Sequence, residues 1–240
     1  MSSPRPRRRC YTDSGIRSLP EELVSCVMPT RGRRDMAAAA LDCWLKQDWP
    51  NKELIVVDDE DCRAFPNGLD MENVHYSLIK PGITLGAKRN LVCSLTHGDT
   101  IVHFDSDDFS TPDRITYQVS LLQSSPKMIT GFGTLLFWDV LKQQAKRYKP
   151  TINNYICGTS FCYRKAFWHA NQFKDKQVAT DNGMIYPMMS HVLPSPETRY
   201  IVARIHSDHT SAKNGVKDIV SRDLIPAEFW ENEKLRLSLS

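Results

Sequence analysis

Residues Ile101–Asp108 read IVHFDSDD, an apolar-leaning run that passes directly into three carboxylates. With Thr100, the first half reads as a short buried strand, because continuous apolar runs suit a sheet covered on both faces. The second half then places Asp105, Asp107 and Asp108 at the C-terminal end of that strand, where open α/β sheets bind ligands. Carboxylates this close repel one another, and burying them unpaired is costly. A divalent cation resolves the conflict: hard ions such as Mg²⁺ or Mn²⁺ take oxygen ligands and commonly sit between carboxylates and a substrate diphosphate. The competing reading is a solvated loop that caps the next helix through Ser110-Thr111-Pro112-Asp113, with Asp108 in that role.

Around this stretch, strands alternate with helices. Leu23–Met28 (LVSCVM) reads as a first strand, ended by Pro29-Thr30-Arg31-Gly32. A helix from Asp35 to about Gln47 follows, with Met36, Ala40, Cys43, Trp44 and Gln47 along one side. Glu53–Val57 (ELIVV) is a second strand, which also ends in acids, Asp58 to Asp61. Val74–Ile79 is a third. A helix from about Leu85 to Thr96, the strand at 100–104 and a helix from Pro112 to Gln123 complete the pattern. Such alternation predicts a mostly parallel sheet with crossover connections. The second half reads as mixed: a β pair at Met128–Trp138 and Gln143–Lys149, a strand at Tyr155–Tyr163, helices near Lys165–Asn171 and Asp181–Ser190, a strand at Arg199–Ile205 and a helix at Pro226–Leu237.

Composition sets outer limits. The chain has 240 residues, 41% apolar and 25% charged, the balance of a soluble globular protein. It contains no run of 18 or more apolar residues of the kind a membrane-spanning helix needs. The net charge of +3 lies in Arg5, Arg7, Arg8 and Arg9, without which the balance is −1. Residues 1–20 are therefore expected to form a disordered basic tail, a solubilising extension or a contact to nucleic acid. No apolar core follows these arginines, so the segment does not read as a secretory signal. Seven cysteines without a C-x-x-C pair fit a reducing cytoplasm better than secretion.

Between the two acid-ended strands lies Gly86-Ala87-Lys88-Arg89-Asn90 at a helix start. A helix N-terminus with two cations is an anion site in waiting, although the helix dipole disfavours cations there.

Taken together, these segments resemble the inverting family 2 glycosyltransferases of the GT-A fold. VSCVMPTRGR is similar to that family's opening strand and loop, and Trp49-Pro50 through ELIVVDDE to its second strand. GAKRN is similar to its Ala-Arg-Asn helix start, and IVHFDSDDFSTPDRI to its D-x-D segment. The segments keep the family's order across about residues 23–120. The resemblance implies a GT-A, Rossmann-like α/β fold with a nucleotide-sugar-binding half at 21–126 and a smaller, mixed acceptor-side half at 127–240. It implies transfer from a nucleotide-sugar donor to an acceptor hydroxyl, with Mn²⁺ or Mg²⁺ as cofactor. Thr30 and Arg31 would lie along the nucleotide, and Asp58 or Asp59 would accept from the base. Arg89, beside Lys88, would contact base or diphosphate. Asp105 and Ser106 would sit toward the ribose, and Asp107 would ligate the metal.

In the second half, Gly158-Thr159-Ser160 before Tyr163-Arg164-Lys165 resembles the family's Gly-x-Ser strand. The family then has Glu-Asp, whose Asp is the general base. Here the pair is Thr180-Asp181, so Asp181 is the candidate base, with a helix N-cap as its alternative role. RIHSDHTS at 204–211 resembles a His-x-x-Asn-Thr-Ser segment of some relatives. There His206, or alternatively His209, would reach the metal or contact the diphosphate. His103, inside its strand, reads as a packing residue, and Trp44, Trp138, Trp168 and Trp230 as core or interface. The rival classes are a nucleotidyltransferase and a non-catalytic sugar- or nucleic-acid-binding protein on the same fold.

Overall fold

A computed structural model describes residues 22–207, 216 and 218–240. The basic tail and His209 lie outside the described residues. The first half alternates as its apolar pattern dictates: β1 (Val24–Pro29), α1 (Arg34–Leu45), β2 (Lys52–Asp59), β3 (Val74–Ile79), α2 (Leu85–Ser94), β4 (Thr100–His103), the short β5 (Phe109–Ser110) and α3 (Arg114–Gln123). Then follow β6 (Ile129–Phe132), β7 (Leu135–Asp139), β8 (Gln144–Tyr148), β9 (Cys162–Arg164), α4 (Lys165–Ala170), α5 (Thr180–Ile185), β10 (Val192–Ser195), β11 (Ile201–Ile205), β12 (Asp218–Ile219) and α6 (Ala227–Ser238).

Seven of these strands form one sheet in the order β10-β6-β9-β4-β1-β2-β3. All its pairs are parallel except those of β9, which runs antiparallel between β4 and β6. A second, mixed sheet runs β12-β8-β7-β11-β5. The expected mostly parallel α/β sheet with a smaller mixed part is therefore present. Strands from both halves of the chain interleave, since β6, β9 and β10 extend the sheet that β1–β4 begin.

The central strands are buried on both faces. One apolar cluster joins Val24, Cys26 and Val56 to Met28, Trp44, Trp138 and Phe229, and the other packs Val27, Ile55 and Ile101 under Val92, Phe161 and Trp168. Trp44, Trp138 and Trp168 are thus core. Trp230 is half-buried against Trp138, ring centroids 5.0 Å apart. His103 is fully buried and bonds the Tyr163 hydroxyl at 2.9 Å. Burial, with Arg89 and Arg114 nearby, pushes its imidazole well below the usual value and keeps it neutral. The six described cysteines form no disulfide with one another, and burial pushes the Cys26 and Cys93 thiols up to about 12. Among the described residues no helix is long and apolar enough to cross a membrane.

Two expectations are corrected. The single strand at Met128–Trp138 is in fact β6 and β7, which belong to different sheets. The chain breaks at Gly133, where a Cβ would lie 2.6 Å from the Tyr155 carbonyl oxygen. The strand at Tyr155–Tyr163 is mostly irregular, with a 3₁₀ turn at Gly158–Ser160 before β9. There the Ser160 hydroxyl donates to the Cys157 carbonyl at 2.7 Å and accepts from the Phe132 amide at 2.8 Å, and such local bonds compete with a ladder.

The C-terminal helix is tied to the rest by charge. Glu233 accepts from Arg204 of β11 at 2.9 Å and from Arg236 at 2.7 Å, and Arg236 reaches Asp35 of α1 at 2.7 Å. Burial alone would raise the Glu233 carboxyl, but bonds from Arg236 and Arg204 outweigh it and hold it below the usual range. A carboxyl depressed in the folded state contributes stability at neutral pH that is lost as pH falls through the folded value. Glu233→Gln is therefore expected to be less stable than wild type at neutral pH. In urea melts the gap should narrow as pH drops from about 5 toward about 3.

Candidate active site

β4 ends at His103, and the next residues turn away from the sheet. The Phe104 amide still bonds the Val27 carbonyl of β1 at 2.9 Å, which fixes where the acidic loop begins. Asp105, Asp107 and Asp108 then bring three carboxylates together, with one oxygen from each within 4.8 Å of the others. They line a cavity of about 540 Å³ whose other walls are Arg33, Arg89, Tyr148, Tyr155, residues 157–159, 177–182 and Arg204.

Positive charge surrounds this loop on every side. Arg33 donates to Asp107 Oδ2 at 2.7 Å and to the Ser106 hydroxyl at 3.2 Å. Its backbone is left-handed, φ 56°, a conformation that costs a side-chain-bearing residue roughly 1–2 kcal/mol and that aims this arginine at the loop. His206, buried after β11, places Nε2 3.1 Å from the same Asp107 oxygen. Arg89 of α2 lies 3.7 Å from Asp105 and 4.0 Å from Asp181. Beneath the loop, Arg114 donates to the carbonyls of His103 and Thr159 at 2.7 and 3.1 Å. Burial lowers the Arg114 guanidinium to about 10, against the opposing pull of Cys26, Cys162, Asp105 and Asp108, so it stays charged at neutral pH.

The three carboxylates differ in what they already hold. Asp108 accepts from the Thr159 hydroxyl at 2.6 Å and from the Arg204 amide at 3.0 Å, so it fastens the acidic loop to the Gly158–Ser160 turn and to β11. It does not cap the following helix, which begins at Arg114 without a side-chain cap. Asp107 faces Arg33 and His206, and Asp105 faces Arg89. An oxygen-rich donor set open to a cavity, with one imidazole at its edge, suits a hard divalent ion.

Asp181 lies across the cavity, in the first turn of α5. The residue preceding that helix is Ala179 and no side chain caps it, so the N-cap role is not what Asp181 does here. It packs on Gly158, where a Cβ would lie 2.7 Å from its Oδ2. Glycine is required at 158 for this close approach. Thr180, standing where the resemblance has glutamate, is buried, and its hydroxyl accepts from Arg89 at 2.6 Å. Arg89 therefore finds a neutral partner there, and its charge is directed to Asp105 and Asp181. Tyr155 donates to Asn182 Oδ1 at 3.2 Å and stands between Tyr148 and Tyr186, with ring centroids 6.4 and 6.3 Å away. Burial, with Asp181 adding to it, pushes the Tyr155 hydroxyl above the usual range, so it remains a neutral donor.

Other sequence-derived candidates lie elsewhere. Asp58 is fully buried, accepting from the Ala64 amide at 2.8 Å and the Tyr76 hydroxyl at 2.9 Å. Asp59 pairs with Lys88 at 2.5 Å and Arg31 at 3.5 Å, and Lys88 also bonds the Thr30 carbonyl at 3.0 Å. Thr30, Arg31, Asp58, Asp59 and Lys88 thus clamp the ends of β1 and β2, and none of them lines the cavity. Arg33, Arg114, Arg204, Tyr148 and Tyr155 were not singled out from sequence. The one sequence signal for Arg33 is its place in the basic loop that follows β1.

Lys88→Met leaves Asp59 buried with only the more distant Arg31. We expect a loss of roughly 3–5 kcal/mol, toward the lower end because of Arg31, read from urea denaturation midpoints.

The family model described as "Glycosyl transferase family 2" matches residues 25–182. A protein named "Putative colanic acid biosynthesis glycosyl transferase WcaA" from Escherichia coli (strain K12) is 35% identical over 101 residues, 39% of this chain and 36% of that protein. "Putative glycosyltransferase EpsE" from Bacillus subtilis (strain 168) is 27% identical over 161 residues, 63% of this chain and 58% of that protein. The matches thus span less than two thirds of these curated relatives. The crystal structure of S. aureus TarS 1-349 in complex with UDP-GlcNAc superposes with a TM-score of 0.57 at 18% identity, covering 90% of this chain and 65% of that one. Its complex with UDP gives 0.56 at 17% identity, covering 90% and 64%. That likeness is one of fold.

Proposed function

The chain belongs to glycosyl transferase family 2, and from that premise we propose that it transfers a glycosyl group from a nucleotide-diphosphate donor to an acceptor hydroxyl, with inversion. The observation that carries this reading is one cavity with three clustered carboxylates on one wall and Asp181 on the other, joined through Arg89.

Asp105, Asp107 and His206 would hold Mn²⁺ or Mg²⁺, with Asp108 fixing the loop. When bound, such an ion supplies charge neutralisation for the departing diphosphate. Arg89 and Arg33 supply fixed positive charge beside the same place. On the opposite wall, Asp181 takes the proton of the acceptor hydroxyl as its oxygen bonds the anomeric carbon. The bond from that carbon to the diphosphate oxygen breaks on the far side, which inverts the centre. Both reacting sides are then served by groups already in position, and fixed geometry is a large part of such catalysis. Ser106 lies at the donor wall.

Tyr148 and Tyr155 line the same cavity as Asp181, and Tyr186 stands beside Tyr155. Flat apolar faces with hydroxyl rims suit a sugar ring, which supports a glycan acceptor. The clamp of Lys88, Asp59 and Thr30 is read as support for the donor wall, with Asp58 bracing the loop at 60–65 and Arg31 pairing outside it. Buried cysteines that form no disulfide with one another accord with a cytoplasmic setting.

The test is release of nucleoside diphosphate from a panel of nucleotide sugars, UDP-GlcNAc first, with glycan acceptors and Mn²⁺. Asp107→Asn is expected to keep its fold and lose metal-dependent turnover. Asp181→Asn should retain donor affinity while turnover falls by about 10²–10⁴, the usual weight of a general base. Wild-type turnover in Asp107→Asn would remove the metal assignment, and in Asp181→Asn it would place the base elsewhere.

A further inference from the structure

At the opposite end of the sheet, three side chains from three elements converge. Glu53 is the second residue of β2, His75 the second of β3, and His97 lies in the loop that returns from α2 to β4. The parallel register pairs Ile55 with His75, so Glu53, Ile55 and His75 share the face that α2 covers. His97 Nδ1 stands 2.8 Å and His75 Nε2 3.3 Å from the same oxygen, Glu53 Oε2. The three candidate ligand atoms lie within 4.8 Å of one another.

The rest of the arrangement orients that oxygen. Glu53 Oε1 is occupied, accepting from the Ser25 hydroxyl at 2.5 Å and the His97 amide at 2.7 Å. Ser25 in turn accepts from the Gly98 amide at 2.8 Å. The loop cannot drift, because Gly98 sits so close to β1 that a Cβ would lie 2.2 Å from the Leu23 carbonyl oxygen. Oε1 is thus held by donors, as ligating carboxylates are in metal sites, and Oε2 is turned toward the two imidazoles. The carboxylate is buried, whereas the His75 and His97 side chains are 52% and 64% exposed, so solvent reaches the cluster from one side.

We propose that Glu53, His75 and His97 form a second metal site, for Zn²⁺ or a similar transition ion, with a water in the fourth position. Two imidazoles and one carboxylate are a recurrent zinc donor set. They differ in kind from the carboxylates after β4, because an imidazole-rich set favours Zn²⁺ and the other late first-row ions, whereas a carboxylate-rich set suits Mg²⁺ and Mn²⁺. Tetrahedral bonds of about 2.0–2.1 Å put neighbouring ligand atoms about 3.3–3.4 Å apart. The His75–Glu53 separation already has that value, and the His97–Glu53 one needs to open by about half an ångström. An ion here would tie β2, β3 and the loop before β4 together at the end remote from the acidic loop. Its role would be to stabilise the sheet.

The test uses the full chain, titrated calorimetrically with Zn²⁺ alone and followed by thermal melting. Wild type should bind one ion at this site and melt at a higher temperature in its presence, since a ligand that binds only the folded state stabilises it. His75→Ala and His97→Ala, both at exposed positions, should each weaken binding by at least about tenfold, the effect that losing even a supporting residue has on such sites. Cys62→Ser should leave that binding unchanged. Zn²⁺ binding unaltered in the His75→Ala, His97→Ala double variant would overturn the proposal, as would a folded wild type that takes up no Zn²⁺.

Discussion

Three carboxylates within four residues, at the end of a strand in the middle of the sheet, are the constraint around which this structure is arranged. Like charges so close raise each other's free energy, and burial compounds the effect. The fold answers with guanidinium groups, and one imidazole, drawn from distant parts of the chain. Arg33 comes from the loop after β1, Arg89 from α2, Arg114 from α3, Arg204 from β11, and His206 from just beyond it. They come from four separate segments, so the loop can take this form only once both halves of the chain have packed. Arg204 carries the dependence furthest: its amide holds Asp108, its guanidinium reaches the Asp107 carbonyl, and its remaining bonds go to Glu233 and Asn232 of α6. The C-terminal helix thereby braces the acidic loop without touching the cavity.

The same sheet separates two chemistries. At the C-terminal ends of its parallel strands stand hard oxygen donors and guanidinium groups, a setting for phosphates. At the N-terminal ends of β2 and β3 stand two imidazoles around one buried carboxylate. The strands between are apolar and buried on both faces, and they hold the two clusters apart.

Much of this was legible in the sequence. The runs LVSCVM, ELIVV and TIVHF are too continuously apolar for a surface strand, and acids end two of them, so the sheet and its ligand-bearing end follow from pattern alone. What could not be read was direction. Asp58 and Asp59 are equivalent in sequence, but strand alternation sends one to Tyr76 and the other to Lys88. Lys88 and Arg89 are likewise adjacent, yet only Arg89 faces the cavity. The break at Gly133 was hidden because its cause is the backbone of residue 155, more than twenty positions away. Asp181 was read from a resemblance; its close seating on Gly158 needed coordinates.

The most direct measurement is calorimetric titration of nucleoside diphosphates, UDP first, into the wild-type chain with Mn²⁺ or Mg²⁺ and again in EDTA. A nucleotide-sugar site built on the acidic loop requires one-site binding of a nucleoside diphosphate that depends on the hard cation and disappears on chelation. Binding of equal strength in EDTA, or no binding of any nucleoside diphosphate by the folded protein, would contradict the assignment of that loop.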